Sequence, residues 1–62
     1  MPVVRVSMWK GRTYEQKAQI AKGITEVLTR VANIPPEATH IIFEEVDKEN
    51  WAHGGVMASE RG

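Results

Sequence analysis

The hydrophobic positions change period along this chain, and the change divides it into elements. From Val3 to Met8 the pattern alternates loosely, with Val4, Val6 and Met8 on one face and Val3, Arg5 and Ser7 on the other. That is the period of a strand rich in β-branched residues, and it ends at Trp9-Lys10-Gly11, where glycine punctuates. The period then lengthens. Ile20, Ala21, Ile24, Val27, Leu28, Val31 and Ala32 recur at helical spacings, which predicts one apolar stripe on a helix. Lys17, Gln19, Lys22, Glu26 and Arg30 fall mostly outside that stripe and are expected to face water. Thr13 is a good N-cap and Gln16 completes a Thr-x-x-Gln capping box. Glu15 adds a negative charge where the helix dipole favours it. Asn33 can close the helix, and Pro35-Pro36 cannot continue it.

A second strand is predicted within Thr39 to Val46, apolar at its centre and bounded by polar residues. Two strands joined by one long helix make a right-handed crossover with parallel strands. The expected fold class is therefore α/β (α+β): a small β-α-β subunit with a parallel two-stranded sheet, one long helix and a short C-terminal hairpin. The tail from Asp47 reads as looser, with an isolated Trp51 and a turn at Gly54-Gly55. A hairpin there is free to pair with a neighbouring subunit.

Size and composition add a constraint. The chain has 62 residues, enough for a single domain over 1–62, and a domain of that length buries only about 60% of its unfolded surface. Such chains need disulfides, a metal or partner subunits. There is no cysteine, which excludes disulfides and thiolate sites, and His40 and His53 are too few for a structural zinc site without carboxylate help. No metal site and no cofactor is expected, and self-association is the remaining source of burial. One helix also leaves a whole face of a two-stranded sheet bare. Eight basic and eight acidic residues give zero net charge, so there is no electrostatic footprint for nucleic acid or an anionic membrane. No apolar run reaches membrane-spanning length and no signal peptide is visible. The expectation is a soluble, cytoplasmic chain.

Candidate chemistry is sparse. Asp47 is the sole aspartate, no phosphate-cradling loop follows the first strand, and Glu44-Glu45 are adjacent on a strand and so face opposite ways. Pro2 stands apart. A small residue after Met1 permits removal of that methionine, leaving a free secondary amine at the start of a strand. Burial in an apolar pocket and a neighbouring guanidinium both disfavour the charged amine, which brings such a group toward the range useful for a general base. The plain alternative is that Pro2 merely opens a strand, where its missing N–H costs nothing.

The residues Pro2-Val3-Val4-Arg5-Val6-Ser7-Met8, then Gly11-Arg12-Thr13-x-Glu15-Gln16-Lys17, resemble the opening of the 4-oxalocrotonate tautomerase family. The resemblance continues through Glu44-Glu45 and the aromatic-x-x-Gly-Gly pattern at Trp51-Ala52-His53-Gly54-Gly55, and covers essentially the whole chain without a gap. It implies a βαβ subunit assembled as a hexamer. The implied activity is cofactor-independent proton transfer in a dienol or unsaturated keto acid. By this resemblance Pro2 is the base, and Arg12 binds a substrate carboxylate, for which a guanidinium is suited by two parallel hydrogen bonds. Trp51 matches the active-site aromatic that shields the base from water.

One position departs from the family pattern. His40 stands where the 4-oxalocrotonate tautomerases proper carry a second arginine, thought to reach a neighbour's active site and the substrate's oxygens. Histidine is shorter and only partly charged near neutral pH. It either donates a hydrogen bond to substrate or faces a subunit interface, and it puts a dicarboxylate substrate in question. Trp9, at the pocket's edge in this family, adds bulk. Two other readings keep the fold. One is a hydratase or dehalogenase acting on 3-substituted acrylates, weakened because His53 stands where those relatives place an acidic residue. The other is a non-catalytic subunit, since a retained Met1 makes the Pro2 nitrogen an amide.

Overall fold

The structure is a computed structural model that describes residues 1–61; Gly62, the last residue of the expected 1–62 domain, lies outside the described residues. Strand β1 (Val3–Trp9) leads into helix α1 (Tyr14–Ala32), which returns the chain to strand β2 (His40–Val46). A hairpin of β3 (Ala52–His53) and β4 (Val56–Met57) follows, with single 3₁₀ turns at Pro36–Ala38, Lys48–Asn50 and Ala58–Glu60. β1 and β2 pair in parallel, with Val3 opposite His40 and Trp9 opposite Val46.

The helix begins and ends where its capping residues predict. The Thr13 hydroxyl accepts from the Gln16 backbone N–H at 3.1 Å, and the Gln16 side chain accepts from the Thr13 N–H at 2.9 Å. Two of the orphan donors of the first turn are thereby satisfied. At the other end Asn33 adopts the left-handed conformation, φ 59°, and its N–H returns to carbonyls of the last turn. The C-terminal hairpin turns on Gly54 and Gly55, both at positive φ (63° and 80°), the backbone a two-residue hairpin loop demands.

The helix covers one face of the sheet. Val4, Val6, Met8, Ile41 and Phe43 are half-buried beneath it, and Val3, Arg5, Ser7, Trp9, His40, Ile42 and Glu44 form the uncovered face. The adjacent glutamates do face opposite ways. Glu44 pairs with Arg5 across the open face at 3.4 Å, and Glu45 pairs with Lys17 on the helix side. Three expectations need correction. Lys17 is half-buried rather than solvated, because its position on α1 brings the ammonium to Glu45. Val27 and Val31 are 47% and 73% exposed, and Ala32 is exposed too. The helix is rotated so that Ile20, Ala21, Ile24, Thr25, Leu28 and Thr29 lie toward the sheet, and a two-stranded sheet is too narrow to reach its flank. The tail is ordered, not loose: Ala58, 4% exposed, is the one buried residue among the described residues, and its N–H donates to the Trp51 carbonyl at 2.7 Å.

The chain alone therefore has almost no core. It exposes 4818 Å², where a compact monomer of its mass exposes about 4,000 Å². Its radius of gyration is 14.5 Å, against about 10.5 Å for a compact domain of this length. The excess of roughly 800 Å² matches one partner's share of a standard interface. Val3, Ile42 and Trp9 on the open face, and Val27 and Val31 on the helix flank, supply apolar surface for such a contact. Progressive dilution is expected to give dissociation and unfolding together, with no stable folded monomer. Sedimentation velocity paired with circular dichroism checks this, and a folded species of single-chain mass would contradict it.

Candidate active site

The sheet's length decides how the candidate residues are distributed. Pro2 precedes β1 and is half-buried; its carbonyl accepts from the His40 N–H at 3.0 Å. Pro2 and His40 thus stand together at the start of the parallel strands. The chain then runs extended to Trp9, and at about 3.3 Å per residue this separates Pro2 from Trp9 by about 23 Å.

Arg12 lies at that far end. The β1–β2 ladder continues one step past the strand, through the Lys10 N–H to the Val46 carbonyl at 3.1 Å. Gly11, at φ 126°, then turns the chain in a conformation that disfavours any side chain. Arg12 follows, exposed, directly before the Thr13 cap. It lines an open hollow with Thr13, Glu15, Gln16, Gln19 and Ile20, and its guanidinium makes no ion pair among the described residues.

Trp51 is at the same far end. It is half-buried, and its ring meets that of Trp9 edge to face, with centroids 6.0 Å apart and planes at 78°. The Lys48 ammonium sits over the Trp9 ring, 4.8 Å from its centroid. This last contact is not among those the sequence predicts. It has no local sequence signal, because Lys48 and Trp9 lie far apart in the chain and meet only through the fold. The structure therefore joins Pro2 to His40, and joins Trp51 to the Arg12 end of the sheet. It does not bring the two groups together within one chain. His53, in the hairpin, is exposed, and its carbonyl accepts from Arg61 at 3.1 Å. Among the described residues, no cluster of three or more His, Cys, Asp or Glu side chains could hold a metal, and no helix is long and apolar enough to cross a membrane.

The fold and these positions can now be set beside those of known proteins. The Tautomerase enzyme family model matches residues 2–61. A probable tautomerase of Lactococcus lactis subsp. lactis is 43% identical over 61 residues, covering 98% of this chain and all of that one. Among solved structures, TomN, a 4-oxalocrotonate tautomerase homologue in the tomaymycin biosynthetic pathway, superposes with a TM-score of 0.93 at 32% identity, covering 97% of this chain and 92% of that one. A heterohexamer 4-oxalocrotonate tautomerase from Chloroflexus aurantiacus gives 0.91 at 30% identity, with 97% of each chain covered. This chain belongs to the tautomerase family.

The capping box fixes the helix start just after Arg12, so it also fixes where the guanidinium begins. Thr13→Ala is expected to destabilise the fold by about 1 kcal/mol. Denaturant unfolding at constant protein concentration measures this, and an unchanged midpoint would show that the box contributes nothing.

Proposed function

We propose that this chain is the subunit of a cofactor-independent keto–enol tautomerase, a hexamer of the cytoplasm, acting on enol or dienol forms of 2-keto acids. Pro2, freed by loss of Met1, is the general base. Its nitrogen takes the enol hydroxyl proton; the O–H electron pair becomes the carbonyl π bond, and the former C=C pair receives the proton back at carbon. The amine is regenerated and nothing is oxidised or consumed. Arg12 grips the substrate carboxylate with two parallel hydrogen bonds and stabilises charge that develops on the conjugated system. Trp51 keeps water from the base, and His40, beside Pro2, offers a hydrogen bond to a substrate oxygen.

The observation that carries this reading is the separation of Pro2 from Arg12 along β1. A site needing both must take them from different chains. Homo-oligomers favour two-fold interfaces, and a two-fold axis perpendicular to the strands reverses strand direction. The Pro2–His40 end of one chain then meets the Arg12–Trp51 end of the next. The apolar surface left open on each chain supports the same assembly, as does the heterohexameric state of the Chloroflexus relative.

Replacing the base tests the reading. In protein whose Met1 removal is verified by intact mass, Pro2→Ala is expected to slow ketonisation of an enol substrate such as 2-hydroxymuconate by about 10² or more, with the oligomer intact. Equal rates for variant and parent would remove Pro2 from the mechanism.

A further inference from the structure

Gly23 is the midpoint of α1, and nothing within the chain accounts for it. Its backbone is helical and it is not one of the positive-φ glycines, so alanine would serve the helix better. Among the described residues, no atom beyond its own stretch of helix lies within 4 Å of where a side-chain carbon would sit. Gly23 therefore leaves a notch that the single chain does not fill. The flank around it is uncharged. Gln16, Gln19, Ile20, Val27 and Val31 share that flank by their spacing, while Lys22 and Glu26 belong to the outer face. Its two halves are unlike. Before Gly23, Gln16, Gln19 and Ile20 line an open hollow; after it, Val27 and Val31 stand 47% and 73% exposed. The opposite flank, through Tyr14, Ala18 and Ala21, lies over Phe43 and Glu45 of β2, so the Gly23 flank overhangs β1. The outer edge of β1 is open as well. Ladder bonds at Pro2 and Lys10 give alternate residues to β2, which directs the backbone groups of Val3, Arg5, Ser7 and Trp9 to the free edge.

Resting on the two-fold assembly read above, we propose that Gly23 is the crossing point of a seam between two copies of this chain, where their α1 helices pack antiparallel. A two-fold axis at the helix midpoint sets Val27 of each copy against Gln19 and Ile20 of the other, and Val31 against Gln16. Each exposed half then enters the other's hollow, which makes the surface self-complementary. The notch at Gly23 lets the two backbones approach closely where they cross, and no like charges face each other along the strip. The free edges of β1 meet on the same side. The excess of roughly 800 Å² that the chain exposes over a compact monomer is the area one partner contributes to a standard interface. Arg12 lies about one helical turn beyond the place Val31 takes, so its guanidinium stays open to substrate.

Two measurements test the seam, and neither needs turnover. The chain has no cysteine, so introduced thiols report alone. In a Gln19→Cys/Val27→Cys chain the two thiols stand about 12 Å apart along one helix, too far for a bond within the chain. Antiparallel crossing at Gly23 sets each beside its counterpart on the other copy. Mild oxidation of the oligomer is therefore expected to give covalent dimers on a non-reducing gel. Val27→Cys alone should give none, because the two copies' residues also lie about 12 Å apart along the seam. Separately, Gly23→Leu should raise the concentration at which the oligomer dissociates by about tenfold or more through overpacking, although leucine is the better helix former. Lys22→Leu, the same side chain on the outer face, should leave that concentration within about twofold. An unlinked double variant in oligomers verified by sedimentation would overturn the proposal. Linkage of Val27→Cys alone, or a Gly23→Leu oligomer as tight as the parent, would do so too. Adding Pro2→Ala to the double variant should leave linkage intact while turnover is lost, so a failed proline assignment shows in rate and a failed seam in linkage.

Discussion

Everything in this molecule follows from a sheet that is too small. Two strands offer one helix a single narrow face, and that helix can bury only part of its apolar stripe against it. The result is a chain with one buried residue among those described and an extent of 42 Å in its longest direction. Hydrophobic burial is the main favourable term in folding, so a chain that defers it to an interface defers its stability as well. Folding and assembly are then one process, and the surface at which chains meet is where a site can be built at no further cost in burial.

The same constraint organises the chemistry. A parallel βαβ unit puts the start of both strands at one end and the start of its helix at the other. Pro2 and His40 belong to the first end; Arg12, Trp9 and Trp51 belong to the second. No change of side-chain conformation bridges about 23 Å of strand. Under the proposed function, the subunit interface is therefore part of the active site, and a lone chain is chemically incomplete for the reason that it is structurally incomplete.

Much of this was legible in the sequence, for local reasons. The capping box, the left-handed Asn33 and the Gly54-Gly55 turn are short-range signals, and each lies where the residues predicted it. The opposite facing of Glu44 and Glu45 followed from strand geometry alone. The errors came from tertiary context. Periodicity gave the width of the apolar stripe on α1 but not its rotation over a two-stranded sheet, so Val27 and Val31 were assigned inward and Lys17 outward. The tail read as loose because its order rests on packing beyond the local pattern, of Trp51 against Trp9 and of the buried Ala58, whose N–H reaches the Trp51 carbonyl. The candidate residues were individually legible, but their distribution over two ends required the register of the sheet.

The central claim is that one site draws Pro2 and Arg12 from different chains, and subunit mixing tests it most directly. Pro2→Ala and Arg12→Ala proteins, each nearly inactive alone, would be dissociated, mixed in equal amounts and reassembled, with mixed oligomers verified by native mass spectrometry. If the two residues come from different chains, random assortment leaves roughly a quarter of sites with both groups intact, and ketonisation should recover to about that fraction of the parent rate. Verified mixed oligomers without recovery would contradict the account and place both groups in one chain's site.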